Sequence, residues 1–203
     1  MNVIQIGIMG GTFNPIHNLH LLVAQLAREQ HNLSKVLFIP SGSPPHKKAG
    51  LLGREERFEM VEAGIEAETG FEACRLEIDR PGTTWSIDTL YELTELYKGE
   101  VRLNFIIGDD NLRVLADYDR RDEFLSLCRI LVCPRRYQST AYRRRIWRKM
   151  VPGADMAFID CPLFPLSSTM VREWIAAGRS VRYLVPARVN SILTGNGHYR
   201  NRP

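Results

Sequence analysis

Short runs of β-branched and aliphatic residues recur along this chain, and most are followed by a segment of helical period. Val3-Ile4-Gln5-Ile6-Gly7-Ile8 reads as a buried strand ending at Gly10-Gly11. Leu19, Leu22, Val23 and Leu26 then fall at i, i+3, i+4 and i+7, which predicts a helix over 18–30. Val36-Leu37-Phe38-Ile39 is a second strand closed by Pro40, followed by a loop over 41–53. A helix is expected over 55–69, with Phe58, Val61 and Ile65 on one face, and a strand over 71–78 leading into Arg80-Pro81-Gly82. A helix over 86–98 carries Ile87, Leu90, Tyr91 and Thr94, with Ser86 as its cap and Gly99 as its end. Strands follow at 101–107, running into Gly108-Asp109-Asp110, at 130–133, stopped by Pro134, and at 157–159. Helices over 168–177 and 186–193 close the chain, followed by Gly178 and Gly195.

Alternation of this kind has few ways to cover its apolar strands. It implies an α/β, Rossmann-like doubly wound parallel sheet with helices on both faces and right-handed crossovers. At 203 residues, without repeats or a low-complexity linker, residues 1–203 are expected to form one domain. Residues from about 165 to 203 would be a small helical C-terminal subregion. With 44% apolar and 25% charged residues, the composition excludes disordered, collagen-like and coiled-coil classes. No apolar run approaches the roughly 18 residues of a membrane span, and the first nine residues lack a signal-peptide pattern. Cys74, Cys128, Cys133 and Cys161 have neither CxxC nor metal-ligand spacing, so free thiols and a cytoplasmic location are expected.

The net charge of +4 is unevenly spread. Residues 124–153 contain no acid but eight bases, and the remaining 19 bases stand against 23 acids. The cluster of Arg143, Arg144, Arg145, Arg148 and Lys149 is most simply a solvated helix face. It lacks a nucleic-acid module and regular aromatic interleaving, so neither a nucleic-acid nor a membrane partner is expected. A subunit contact there, and hence a homo-oligomer, stays open.

In an open α/β sheet, ligands sit beyond the carboxyl ends of the strands. The first such end is Gly10-Gly11-Thr12-Phe13-Asn14-Pro15-Ile16-His17-Asn18-Leu19-His20. Adjacent glycines admit close backbone approach, and the following helix start favours an anion. His17 and His20, three apart, can address one spot there. GxGxxG is absent, so this is not the dinucleotide fingerprint.

The run from Gly10 to His20 resembles the signature of the nucleotidylyltransferase superfamily. Three other segments resemble the bacterial nicotinate-nucleotide adenylyltransferases within it. They are Pro44-Pro45-His46-Lys47, Ile106-Ile107-Gly108-Asp109-Asp110 and Ser167-Ser168-Thr169-Met170-Val171-Arg172. The tail from Tyr183-Leu184-Val185-Pro186 to Val189 also fits.

The resemblance implies transfer of the adenylyl group of ATP to nicotinate mononucleotide, giving deamido-NAD and pyrophosphate, with Mg²⁺ carried by the ATP. No metal site of the protein's own is implied. By the same resemblance His17, His20 and Arg172 would meet the phosphates and the charge that develops on them. Gly10, Gly11, Thr12, Phe13, Gly108, Asp110, Ser168 and Thr169 would bind ATP. Lys47, Thr84, Trp85 and Tyr118 would bind the nicotinate mononucleotide. Two positions depart from the pattern. Leu19 stands where the superfamily has Gly, which raises the alternative of a non-catalytic nucleotide-binding module. Cys133-Pro134-Arg135-Arg136-Tyr137 replaces an Arg-Pro-Gly-Tyr order, so no single arginine there can be given a role. Nicotinamide mononucleotide and phosphopantetheine are the alternative acceptors.

Overall fold

The computed structural model describes residues 3–44, 50–98, 100–135 and 141–200. Six strands form one sheet: β1 (Ile4–Gly11), β2 (Lys35–Pro40), β3 (Phe71–Ala73), β4 (Val101–Gly108), β5 (Arg129–Cys133) and β6 (Met156–Phe158). Their order is β3-β2-β1-β4-β5-β6. Pairing is parallel, with Ile4 opposite Val101, Asn104 opposite Arg129 and Ile130 opposite Met156. This is the doubly wound, Rossmann-like order expected from the alternation, and the strand order reverses at β1 and β4.

The helices are α1 (Asn18–Gln30), α2 (Arg54–Ile65), α3 (Leu76–Asp79), α4 (Ser86–Leu96), α5 (Leu112–Ala116), α6 (Arg121–Leu127), α7 (Ala141–Met150), α8 (Ser168–Ala176) and α9 (Ala187–Gly195). Two expectations change. The strand foreseen over 71–78 stops at Ala73, and Leu76–Asp79 turns into α3. The apolar residues there fit a strand, but tertiary packing buries Glu77 and Ile78 on a single helical turn. The helix foreseen over 55–69 ends at Ile65, where the last apolar residue of its stripe is used.

The chain divides into two compact units. The first holds residues 1–9, 23–37 and 86–165. Its core is the buried strand set Ile6, Ile8, Leu103, Phe105, Ile130, Leu131 and Val132, with Phe124 of α6 edge-on to Phe105 at 5.1 Å. Asn104 is fully buried within this sheet. Its side-chain NH2 donates to the Gln5 side chain and the Arg102 carbonyl at 3.1 Å, while its Oδ1 is buried without a hydrogen-bond partner among the described residues, so only half of this amide is satisfied in the core.

The second unit holds residues 10–22, 38–85 and 166–203. Here α2 packs on α9 and β3, burying Phe58, Met60, Val61, Val189 and Leu193. Gly42 is required by close approach: a Cβ there would lie 1.8 Å from the Glu77 carbonyl oxygen. No helix among the described residues is long and apolar enough to cross a membrane.

Candidate active site

The second unit gathers most of the residues that the resemblance singles out. Strand β1 runs through Gly10 and Gly11, and the chain turns at Thr12 to Pro15 before α1. Phe13 adopts a left-handed backbone, φ 46°, which costs a non-glycine residue on the order of 1 kcal/mol. Its ring is buried edge-on to His20 at 5.0 Å and tilted against Phe38 at 6.0 Å. Burial of that ring offsets the strain and fixes the turn.

His17 and His20 stack face to face, 3.6 Å between centroids and 13° from parallel. His17 is 2% exposed, and His20 is half-buried. The His17 backbone N–H donates to His20 Nδ1 at 3.2 Å. That bond makes Nδ1 an acceptor, so the neutral His20 ring carries its proton on Nε2, as a donor. Leu19 is buried, so its side chain belongs to the apolar stripe of α1.

α8 supplies the cation. Ser167 caps it, its side chain accepting from the Met170 N–H at 3.2 Å. The first turn therefore presents the Ser168 and Thr169 N–H groups, as anion-binding helix starts do. The Ser168 hydroxyl donates to the Pro15 carbonyl at 2.8 Å, joining α8 to the turn. Arg172 donates to the Asn14 carbonyl at 2.8 Å and to Thr169 Oγ1 at 3.2 Å. Two oxygens thus hold the guanidinium in one orientation.

Sequence reasoning missed the groups behind these. Arg57 is 1% exposed and donates from all three nitrogens: to Leu52 O at 3.1 Å, Thr12 O at 2.8 Å and Gly42 O at 3.1 Å. Burial lowers the pKa of this guanidinium, and the charge of nearby Glu77 opposes that shift. Asn14 is buried too. Its amide donates to Gly50 O at 3.1 Å, and its Oδ1 accepts from Leu52 N–H at 3.2 Å and from the Tyr199 hydroxyl. The signal for Arg57 lay in the helical stripe: it stands four residues before Val61 and eight before Ile65, on the face that must be buried.

In the same unit Thr84 is buried, and its N–H donates to Ser43 O at 3.1 Å. Its hydroxyl has no hydrogen-bond partner among the described residues. Trp85 is 46% exposed. Lys47 lies outside the described residues.

The first unit carries the remaining positions. Gly108 ends β4 and Asp109–Asn111 is a 3₁₀ turn. Asp110 pairs with Arg135 at 3.5 Å, and Asp109 Oδ1 accepts from the Arg135 N–H at 2.9 Å. A Cβ on Gly108 would fall 2.3 Å from Asp110 Oδ1, so any larger residue there would displace the Asp110 and Arg135 side chains. Arg136 lies outside the described residues. Tyr118 is half-buried and edge-on to Phe124 at 6.4 Å; burial raises its hydroxyl pKa.

The basic segment forms α7. Trp147 is buried and stacks on Phe158 at 5.6 Å. Arg144 and Arg148 each lie 5.3 Å from the centre of the Phe158 ring, and Arg144 pairs with Asp160 at 2.5 Å. Arg145 and Lys149 are exposed. All four cysteines are free. No cluster of three or more His, Cys, Asp or Glu side chains able to hold a metal occurs among the described residues.

Known proteins were compared against this chain. The profile of the cytidylyltransferase-like family matches residues 8–174. A probable nicotinate-nucleotide adenylyltransferase of Caldicellulosiruptor saccharolyticus is 36% identical over 197 residues, covering 97% of this chain and 99% of that one. One from a Synechococcus species is 40% identical over 192 residues, covering 93% of this chain and 91% of its own length. Among solved structures, the Plasmodium falciparum nicotinic acid mononucleotide adenylyltransferase complexed with NaAD has a TM-score of 0.80 at 16% identity. It covers 97% of each chain and supports the fold.

Proposed function

The chain belongs to the cytidylyltransferase-like family and, within it, to the nicotinate-nucleotide adenylyltransferases, and from that premise we propose how its residues divide the work. It is a nucleotidyltransferase of NAD biosynthesis that moves the adenylyl group of ATP to nicotinate mononucleotide. A phosphate oxygen of the mononucleotide attacks the α-phosphorus of ATP. The bond from that phosphorus to the bridging oxygen breaks, and pyrophosphate leaves with the electron pair. The nucleophile is already anionic at neutral pH, so the protein need supply no strong base. Its tasks are alignment and neutralisation of charge.

The observation that carries this reading is the stacked His17–His20 pair at the start of α1, just after the turn whose Asn14 carbonyl the Arg172 guanidinium grips. His20 Nε2–H donates to a phosphate oxygen, with His17 stacked behind it. Arg172 and the first-turn N–H groups of Ser168 and Thr169 take the phosphate charge. Gly10, Gly11, Thr12 and Phe13 offer backbone to the nucleotides. Gly108 and Asp110 face the adenosine, Asp110 accepting from a ribose hydroxyl. Lys47 holds the mononucleotide phosphate, while Thr84, Trp85 and Tyr118 receive its pyridine. The buried Thr84 hydroxyl supports that last assignment, because such a group gains from a ligand partner.

Mg²⁺ travels with the ATP. Imidazole, guanidinium and hydroxyl donors form a phosphate site, so they leave phosphate oxygens and water as the hard ligands that Mg²⁺ takes. When bound, the ion adds positive charge to the polyphosphate. Residues 1–203 act as one nucleotidylyltransferase domain, a reading supported by a family match that runs through both compact units. The cytoplasm is the proposed compartment, supported by four free cysteines.

Pyrophosphate release should be followed with ATP and, in turn, nicotinate mononucleotide, nicotinamide mononucleotide and phosphopantetheine. Turnover should be greatest with the first. A clear preference for another acceptor would refute the substrate reading.

A further inference from the structure

We propose that Tyr199 is a positioning residue for adenylyl transfer: by holding the Asn14 side chain it fixes the carbonyl that aims Arg172 at the phosphates. The proposal rests on the phosphate role given to Arg172 above. Tyr199 comes from the far end of the chain, 185 residues after Asn14, and its hydroxyl donates to Asn14 Oδ1. The same oxygen accepts from the Leu52 N–H, and the amide nitrogen donates to Gly50 O. Three bonds therefore leave the buried Asn14 amide a single orientation. Its backbone carbonyl takes the Arg172 guanidinium at 2.8 Å.

Arg57 fixes the other side of the turn through the Thr12 carbonyl. The Asn14 carbonyl is thus held from within the turn and from the tail. Burial raises the pKa of the Tyr199 hydroxyl, and the charges of Arg172 and Arg57 oppose that shift, so the hydroxyl lies within electrostatic range of both guanidiniums. It stays protonated, a donor, across the neutral range. A purely structural anchor could have been apolar. A hydroxyl bonded to the residue whose carbonyl orients Arg172 serves alignment.

Tyr199→Phe keeps the ring and removes the donor. Its kcat should fall about 10-fold, in line with the cost of a small misalignment, while KM for ATP changes less than 3-fold. Arg172→Ala should fall about 100-fold. The deciding measurement is the double variant, with each protein assayed well below its melting temperature. If Tyr199 acts through Arg172, adding Tyr199→Phe to Arg172→Ala lowers kcat no further. A further 10-fold loss in the double variant would show a role independent of Arg172 and overturn the proposal. Unchanged kcat in Tyr199→Phe beside a slow Arg172→Ala overturns it while leaving the Arg172 reading intact. Near-normal turnover in Arg172→Ala overturns both.

Discussion

Two arginine-bearing regions of this molecule use the same side chain differently. Around the Gly10–Pro15 turn there are two: Arg57 donates to three backbone carbonyls, and Arg172 to the Asn14 carbonyl and the Thr169 hydroxyl. Across α7 there are four, with a lysine. Arg144 and Arg148 cover the Phe158 ring, Arg144 pairs with Asp160, and Arg145 stands in solvent. The denser region carries five positive charges against a net charge of +4 for the whole chain, yet Arg145 and Lys149 are exposed and Arg144 is spent on Asp160 and the Phe158 ring. The sparser region fixes one guanidinium beside two stacked imidazoles and a helix start. Anion chemistry follows held direction more than the number of charges, because a mobile surface cation is solvated and screened.

Arg57 is where the contrast should be widest. Arg57→Met strips three buried carbonyls of their donor and should cost about 3 kcal/mol or more in urea unfolding. Arg145→Ala on α7 should cost under about 0.5 kcal/mol. Equal losses would erase the distinction drawn between the two regions. His20→Ala tests the same contrast in rate: kcat should drop about 100-fold, with a melting temperature near wild type. Near-normal turnover would count against its phosphate role. Arg145→Ala combined with Lys149→Ala should leave kcat within about 2-fold, since both side chains are solvated; a larger drop would bring α7 into the reaction.

The smallest expected effect concerns acid stability away from both regions. Hydrogen bonds from Arg120, and then from Tyr91, hold the Glu123 carboxyl down to about 2. An unfolded glutamate titrates near ~4.3, so the unfolded chain binds the extra proton between these values. The stabilisation is complete above the unfolded value and is lost as pH falls toward about 2. Glu123→Gln should flatten that part of the stability–pH curve, and an unaltered slope would rule out the assignment.

The sheet was legible because buried parallel strands must be apolar and their helices amphipathic; Val3 to Ile8 and the Leu19 to Leu26 stripe suffice to start it. His17, His20 and Arg172, the phosphate contacts proposed above, were singled out through short local motifs. Asn14 and Tyr199 were not, since a bond spanning 185 residues leaves no periodic trace at either end. Arg57 was half legible. Its place on the apolar face of α2 could be counted, but its three carbonyl partners come from loops whose paths only the fold determines. The pairing of Arg135 with Asp110 was not legible, because it joins two segments 25 residues apart. Residues 71–78 misled because a four-residue helix is too short to display a period.

The bond from Tyr199 to Asn14 also bears on how the protein comes into being. A ribosome delivers Asn14 185 residues before Tyr199, so the turn must wait for the intervening chain before it gains that hydrogen bond. Until residue 199 has emerged, Asn14 lacks one of its partners and the Arg172 carbonyl contact is held only from the turn's own side. On the positioning role proposed for Tyr199, a chain synthesised only as far as residue 198 would hold ATP yet transfer its adenylyl group slowly, with His17, His20 and Arg172 all in place.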